Sequence, residues 1–336
     1  MDNEVHPGWA RRMLQVHPSL LCNFVCSHCY SSSSPKSQSF LSLSYLSTTL
    51  EQACALGYDK LSVSGGEPML YPFLKEILCL AKALGMTTSF VTNGSFPRTK
   101  YESLFSLVDT VGVSVDGGAE LHNTIRGNKN SFRKIDAFLD FAKDLFSNVG
   151  ISFTLSDQSW EDLPELIDYA TSKKVDVFQI HPLEINGRAV NKNLTLSDDT
   201  LMRAFALYRL LACQSTCDIH FNCFSKHDLY AMFADQLIDA ETMASAIDLI
   251  VLNETGELLP YTYGMDPKWK IADKDHPLSE DTWRSYKSNL LAPLKELNDQ
   301  TYRGCLANRG SIVQYYDKLR DLSRTAVFEK AAVDSF

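Results

Sequence analysis

The stretch "LQVHPSLLCNFVCSHCYSS", Leu14 to Ser32, sets the frame for the rest of the chain. Its first part, Leu14 to Leu20, reads as a strand. The strand opens into three cysteines, Cys22, Cys26 and Cys29, placed within eight residues. Four thiolates would close a tetrahedral metal site; here the fourth is missing. The N-terminus, "MDNEVHPGWARR", lacks the apolar core of a signal peptide. A cytoplasmic, reducing location is therefore expected. In that setting a tight cysteine group points to metal or redox chemistry rather than to a disulfide framework.

The chain has 336 residues, 45% hydrophobic and 22% charged, as expected of a globular protein. That length allows two domains of about 100–200 residues, or one α/β barrel with an appendage. The net charge of −9 argues against a broad nucleic-acid footprint. No apolar run of about 18 residues occurs, so no membrane span is expected.

Outward from the first strand, a Ser-rich loop, "SSSSPKSQS", leads to a helix from about Ser44 that stops at Gly57. The alternation then repeats. "KLSVSGG", "TTSFVTNG", "TVGVSVDGG", "VGISFTLS" and "VFQIHPLE" read as strands. The helical segments "PFLKEILCLAKALG", "TKYESLFSL", "SFRKIDAFLDFAKDLF" and "WEDLPELIDYATSKK" lie between them. Such βα repetition implies a parallel sheet covered by helices. Six units fit an open doubly wound sheet or a partial (β/α)6 barrel of the TIM type. In both, ligands gather at the carboxyl ends of the strands. Cys22, Gly65-Gly66-Glu67-Pro68, Asn93-Gly94, Asp116-Gly117 and Glu184 each follow or finish a different strand, so they converge on one mouth.

After about Asn193 the alternation ends. "LSDDTLMRAFALYRLLAC" reads as a helix and "IDLIVLNETGELLPYTYGMD" as a β-hairpin; the tail from Pro277 to Phe336 reads as mostly helical. The expected division is a core over 1–193 and a smaller α+β capping extension over 194–336.

Four thiolates saturate a [4Fe–4S] cube, so three leave one iron open. Buried structural cysteines or a zinc site completed from elsewhere are the alternatives. Cys54 and Cys79 lie in apolar helical runs and read as core. The C-x3-C-x2-C loop after the first strand, with "GGEP" after the second, resembles the radical S-adenosylmethionine (SAM) enzymes over about Leu14 to Arg188. The resemblance implies a [4Fe–4S] cluster on Cys22, Cys26 and Cys29, whose open iron binds SAM. It also implies that Gly65, Gly66, Glu67 and Pro68 lie near the methionine amino group, and that Asn93, Ser114 and Asp116 face the ribose or sulfonium side. The same glycine, Asn-Gly and Asp-Gly positions would also serve ordinary turns.

"HNTIRGNKNSF" resembles the segment after strand four in peptide-modifying members, where Arg126 could hold a carboxylate bidentately. His28 reads as a packing and hydrogen-bonding residue. "QIHPLEINGRA" puts His181, Glu184 and Arg188 at the mouth, as candidate SAM or substrate contacts.

Related peptide maturases carry a C-terminal SPASM domain with further clusters, whose hairpin reads as "dG-x-l-x-P-C". This chain has "ETGELLPYTYGMD", with Tyr261 at the expected cysteine. Cys213, Cys217, Cys223 and Cys305 remain as candidates for part of an auxiliary cluster or as core residues. The leading expectation is a radical SAM enzyme that crosslinks or epimerises a ribosomally made precursor peptide, reduced by a donor such as flavodoxin or ferredoxin. The alternatives are a small-molecule substrate (amino acid, sugar or nucleoside) and a non-catalytic Fe–S or zinc protein.

Overall fold

The computed structural model describes residues 12–192, 194–234 and 247–326. The expectations for the first eleven residues and for the tail beyond Ala326 lie outside the described residues.

Each predicted strand forms: β1 (Met13–Val16), β2 (Lys60–Val63), β3 (Thr87–Thr92), β4 (Thr110–Ser114), β5 (Asn148–Leu155) and β6 (Val177–Pro182). They pair in sequence order, all parallel. The covering helices are α1 (Leu43–Ala55), α2 (Leu74–Ala83), α3 (Arg98–Glu102), α4 (Ala119–Arg126), α5 (Ser131–Leu145) and α6 (Leu163–Ser172). The Ser42 hydroxyl accepts the Tyr45 N–H to start α1. Gly57 and Gly85, at φ 88° and 78°, end the first two helices in the left-handed conformation. Helix α4 lies where the sequence shows no helical period, because its eight residues span barely two turns.

Beyond residue 193, α7 (Asp198–Leu211) leads to β7 (Asp218–Phe221), a seventh parallel strand beside β6. Strand β8 (Phe224–Ser225) and helix α8 (Lys226–Ala234) follow. The predicted hairpin forms as β9 (Leu249–Leu252) and β10 (Leu258–Pro260). Strand β9 lies parallel to β1, with Met13 opposite Leu249 and Val16 opposite Leu252. One sheet, in the order β10-β9-β1-β2-β3-β4-β5-β6-β7, therefore contains strands from both sides of residue 193. Helices α9 (Glu280–Ala307) and α10 (Tyr315–Thr325) pack against each other, and the short β11 (Ile312–Val313) pairs with β8.

The strands have two unlike faces. Leu14, Val16, Leu61, Val63, Phe90, Val111, Val113, Ile151, Phe153, Phe178 and Ile180 are buried in the main core. The opposite phase carries small or polar residues in register: Gln15–Ser62–Ser89–Thr110 in one row, Ser114–Ser152–Gln179–His220 in another. Most TIM-type barrels fill this face with branched apolar side chains. Here the residues from Gln15 to Gln179 in these rows are partly exposed. The sheet thus offers one polar face that a ligand can occupy.

Candidate functional site

The cysteine loop leaves the carboxyl end of β1. Cys22 and Cys26 are buried, Cys29 is half-buried, and with Phe24 they form a group separate from the main core. Phe24 N–H reaches the Cys22 sulfur at 3.4 Å, and an Arg126 Nη1 reaches that of Cys26 at 3.8 Å. Burial pushes the Cys22 thiol up to about 12. Burial also raises Cys26, which Arg126 partly offsets.

Three other strand-end loops grip this loop through its backbone. From the β2 loop, Gly66 N–H donates to Ser19 O at 2.8 Å and Glu67 N–H to Leu21 O at 2.9 Å. A Cβ on Gly66 would overlap the Leu21 carbonyl, so only glycine lets the two loops pack. From α4, Ile125 O accepts Ser27 N–H at 2.8 Å. From the β6 loop, Arg188 N–H donates to Cys29 O at 2.9 Å. The Arg188 guanidinium then donates to Cys26 O at 2.8 Å, Ser32 O at 3.2 Å and Ser33 O at 2.6 Å. Gly187 takes φ 56° where a Cβ would strike the Tyr30 carbonyl.

Four of the predicted site residues, Glu67, Asn93, Asp116 and Arg126, form two buried braces around the loop. Glu67 accepts from the Thr92 hydroxyl at 2.8 Å, Asn93 N–H at 2.8 Å and Met69 N–H at 3.2 Å. Burial raises its carboxyl to about 7 against those hydrogen bonds. Asn93, so fixed, donates from its side chain to Asn23 at 2.8 Å. In the second brace, buried Asp116 pairs with Arg126 Nε at 2.5 Å and His28 Nε2 at 2.9 Å. Burial alone would raise Asp116, but Arg126 and then His28 hold it well below the usual carboxylate range. Its own N–H donates to His122 Nδ1 at 3.1 Å.

The structure therefore gives Arg126, Asp116, Glu67 and Arg188 partners within the protein. The carboxylate that Arg126 holds is Asp116, and the target of Arg188 is the cysteine loop. Glu184 pairs with Arg320 of α10 at 2.6 Å, and Arg320 also holds Asp317 at 2.8 Å. His181 accepts a hydrogen bond on Nδ1 from the Asn222 amide at 2.8 Å, and burial lowers it to about 4. Ser114 lies on the polar sheet face beside Ser152. Pro68 opens a short 3-10 turn that Glu67 caps.

Sequence reasoning missed His17, Tyr30, Asn23, Tyr263 and Arg320. His17 is fully buried, with its ring stacked 4.4 Å from Tyr263. Its two-residue offset from Gln15 was a readable signal that it ends the polar row. Nothing local marks Arg320, which arrives from 136 residues beyond Glu184.

The four C-terminal cysteines do not join the loop. Cys217, Cys223 and Cys305 pack in the main core, and Cys213 is exposed at the end of α7 with its thiol on Arg209 O. Tyr261 takes φ 65°, an unusual conformation for a bulky residue. Its hydroxyl accepts from Asn298 of α9, which also receives the Tyr315 hydroxyl at 2.7 Å. A hydrogen-bonded Tyr–Asn–Tyr core fills the place where a thiolate ligand was expected.

Residues 16–170 match the model of the radical SAM superfamily. This segment is a radical SAM domain. Its cofactors are a [4Fe–4S] cluster and S-adenosylmethionine. Three soft thiols on one loop are the donor type that such a cluster takes. The chain is 28% identical over 183 residues to Fe-coproporphyrin III synthase of Methanosarcina barkeri, covering 53% of this chain and 46% of that protein. It is 24% identical over 170 residues to the sporulation killing factor maturation protein SkfB of Bacillus subtilis, covering 50% and 42%. The chain thus spans less than two thirds of these relatives. The fold resembles Streptococcus suis SuiB bound to precursor peptide SuiA, at 17% identity and TM-score 0.60, covering 75% of this chain and 59% of that one. It also resembles anSMEcpe with bound AdoMet, at 17% identity and TM-score 0.62, covering 94% and 97%.

Proposed function

We propose that this protein is a radical SAM enzyme acting on a ribosomally made precursor peptide, by crosslinking or epimerisation. The observation that carries the catalytic reading is the cysteine loop, gripped from three sides at the edge of a polar sheet face. Cys22, Cys26 and Cys29 would hold the cluster, leaving one of its irons without a protein ligand for SAM. When bound, the pair supplies a 5′-deoxyadenosyl radical that removes hydrogen from substrate. The chain's own residues do the rest. Arg188 fixes the loop carbonyls, Arg126 and Asp116 hold the Cys26 side, and Glu67 orients Asn93. Ser114 and the Gly65–Gly66 backbone are the proposed SAM contacts, while Glu184 and its partner Arg320 border the substrate space. The hairpin and α9–α10 act as the cap over that space.

Three likenesses support a peptide substrate: SuiB bound to precursor peptide SuiA, anSMEcpe bound to AdoMet and a Cp18Cys peptide, and the maturation protein SkfB. A small-molecule substrate is the second reading. Its support is that Fe-coproporphyrin III synthase and an archaeal S-adenosylmethionine-dependent nucleotide dehydratase each match about half of the chain.

Anaerobic reconstitution tests the proposal. About four irons per chain are expected, with an absorbance band near ~400 nm that Cys22→Ala removes. About eight irons would add a second cluster and contradict the reading of the C-terminal cysteines. Reduced holoenzyme with SAM and the precursor peptide should release 5′-deoxyadenosine and shift the peptide mass. An unchanged peptide beside a modified small molecule would transfer the assignment to the second reading.

A further inference from the structure

Charge is unevenly distributed in this acidic chain. Between Arg12 and Leu50 there is no Asp or Glu, and there is none between Leu121 and Ile135, although the whole chain has 41. The fold brings these two acid-free segments together at the cysteine loop. Ser27 N–H bonds Ile125 O, and Gly127 sits so close to the Val25 carbonyl that a Cβ there would approach it to 3.2 Å. The Lys134 ammonium lies 6.0 Å from the Phe24 ring centroid. Lys129, on the α4–α5 turn, and Arg133, in the first turn of α5, are exposed. Among the described residues, none of these three cations is in an ion pair. The nearest acids in sequence, Asp136 and Asp140, are both taken by Lys173 at 2.6 Å. Val25, whose carbonyl faces Gly127, is half exposed and stands between Cys22 and Cys26 in the sequence.

We propose that Val25, edged by Lys129, Arg133 and Lys134, is the docking surface of an acidic one-electron donor protein carrying a flavin or an Fe–S centre. The inference rests on the cluster reading above and names the partner of that site. The donor loses one electron, and the cysteine-bound cluster gains it. An apolar centre with a charged edge excludes water where the electron crosses and steers the partner through the edge. The sign of the edge matters, because the chain as a whole, at a net −9, repels an acidic protein.

The test uses reconstituted holoenzyme, flavodoxin as the acidic donor, and dithionite as a reductant that needs no docking. The variant is Lys129→Glu/Arg133→Glu/Lys134→Glu. A control with the same change in net charge is Lys75→Glu/Arg209→Glu/Lys287→Glu, three exposed cations on α2, α7 and α9. Affinity for flavodoxin is read by titration of its flavin fluorescence. The expected result is a loss of about tenfold or more at low salt, with flattened salt dependence. The control should lose far less. Flavodoxin-driven 5′-deoxyadenosine release should fall in parallel, while iron content and dithionite-driven release stay at the parent level. Unchanged affinity in the variant, an equal loss in the control, or no saturable binding by the parent overturns the docking surface. Failure of dithionite to drive the parent would instead count against the radical SAM assignment and remove the electron-entry role with it.

Discussion

Asp116 gives the sharpest test of how the cysteine loop is held. The Asp116→Asn change keeps shape and hydrogen-bonding reach but removes the charge. Arg126, 9% exposed, then keeps its guanidinium inside without the carboxylate 2.5 Å away. Breaking one side of a buried pair typically costs about 3–5 kcal/mol. The lower end, about 3 kcal/mol, is expected here, because His28, the Cys26 sulfur and the new amide oxygen remain as partial partners. With a urea slope of about 3 kcal/mol/M, the midpoint should fall by about 1 M. Urea unfolding of the metal-free protein, followed by circular dichroism, measures this without a contribution from the cluster. Arg126→Gln should lose a similar amount. The double variant should lose at least ~1.5 kcal/mol less than the sum, since the second change removes a charge that the first left unpaired. Single losses below ~0.5 kcal/mol, or strict additivity, would refute the brace.

Three further outcomes follow from the geometry. Arg188→Lys keeps a charge but loses the fork that spans three carbonyls, so iron bound per chain after reconstitution should drop while the unfolding midpoint moves little. Gly66→Ala should cost about 3 kcal/mol or more and prevent iron loading, because its Cβ meets loop backbone; Gly85→Ala, at φ 78° with open space around it, should cost only about 1 kcal/mol. Partial burial raises Asp157, but bonds from Thr200, Ser197 and Thr195 outweigh it and hold its carboxyl at about 2. A depressed carboxyl stabilises the fold above the unfolded value of about 4 and loses that contribution as pH falls toward 2. The stability gap between parent and Asp157→Asn, under about 1 kcal/mol for this partly exposed group, should therefore close between about pH 5 and pH 2. A gap that stays constant across that range would show that the charge contributes nothing.

The sequence by itself determined what depends on neighbours along the chain. Period-two strands, glycine helix stops and the "CNFVCSHC" spacing act over a few residues, and each appears where it was expected. The convergence of five loops on one mouth was also legible, because a parallel βα sheet puts every strand's carboxyl end on the same side. Tertiary structure decided which groups meet there. Asp116 and Arg126 read as ligand contacts in isolation, since sequence shows a charge but not its partner. Arg188 reaches Cys26 O across 162 residues, and Arg320 reaches Glu184 across 136. Strand β9 joins β1 in parallel although more than two hundred residues separate them, a pairing that no local pattern encodes. Covalent spacing fixes the three thiols, but only the packed backbone around them fixes the direction each sulfur faces.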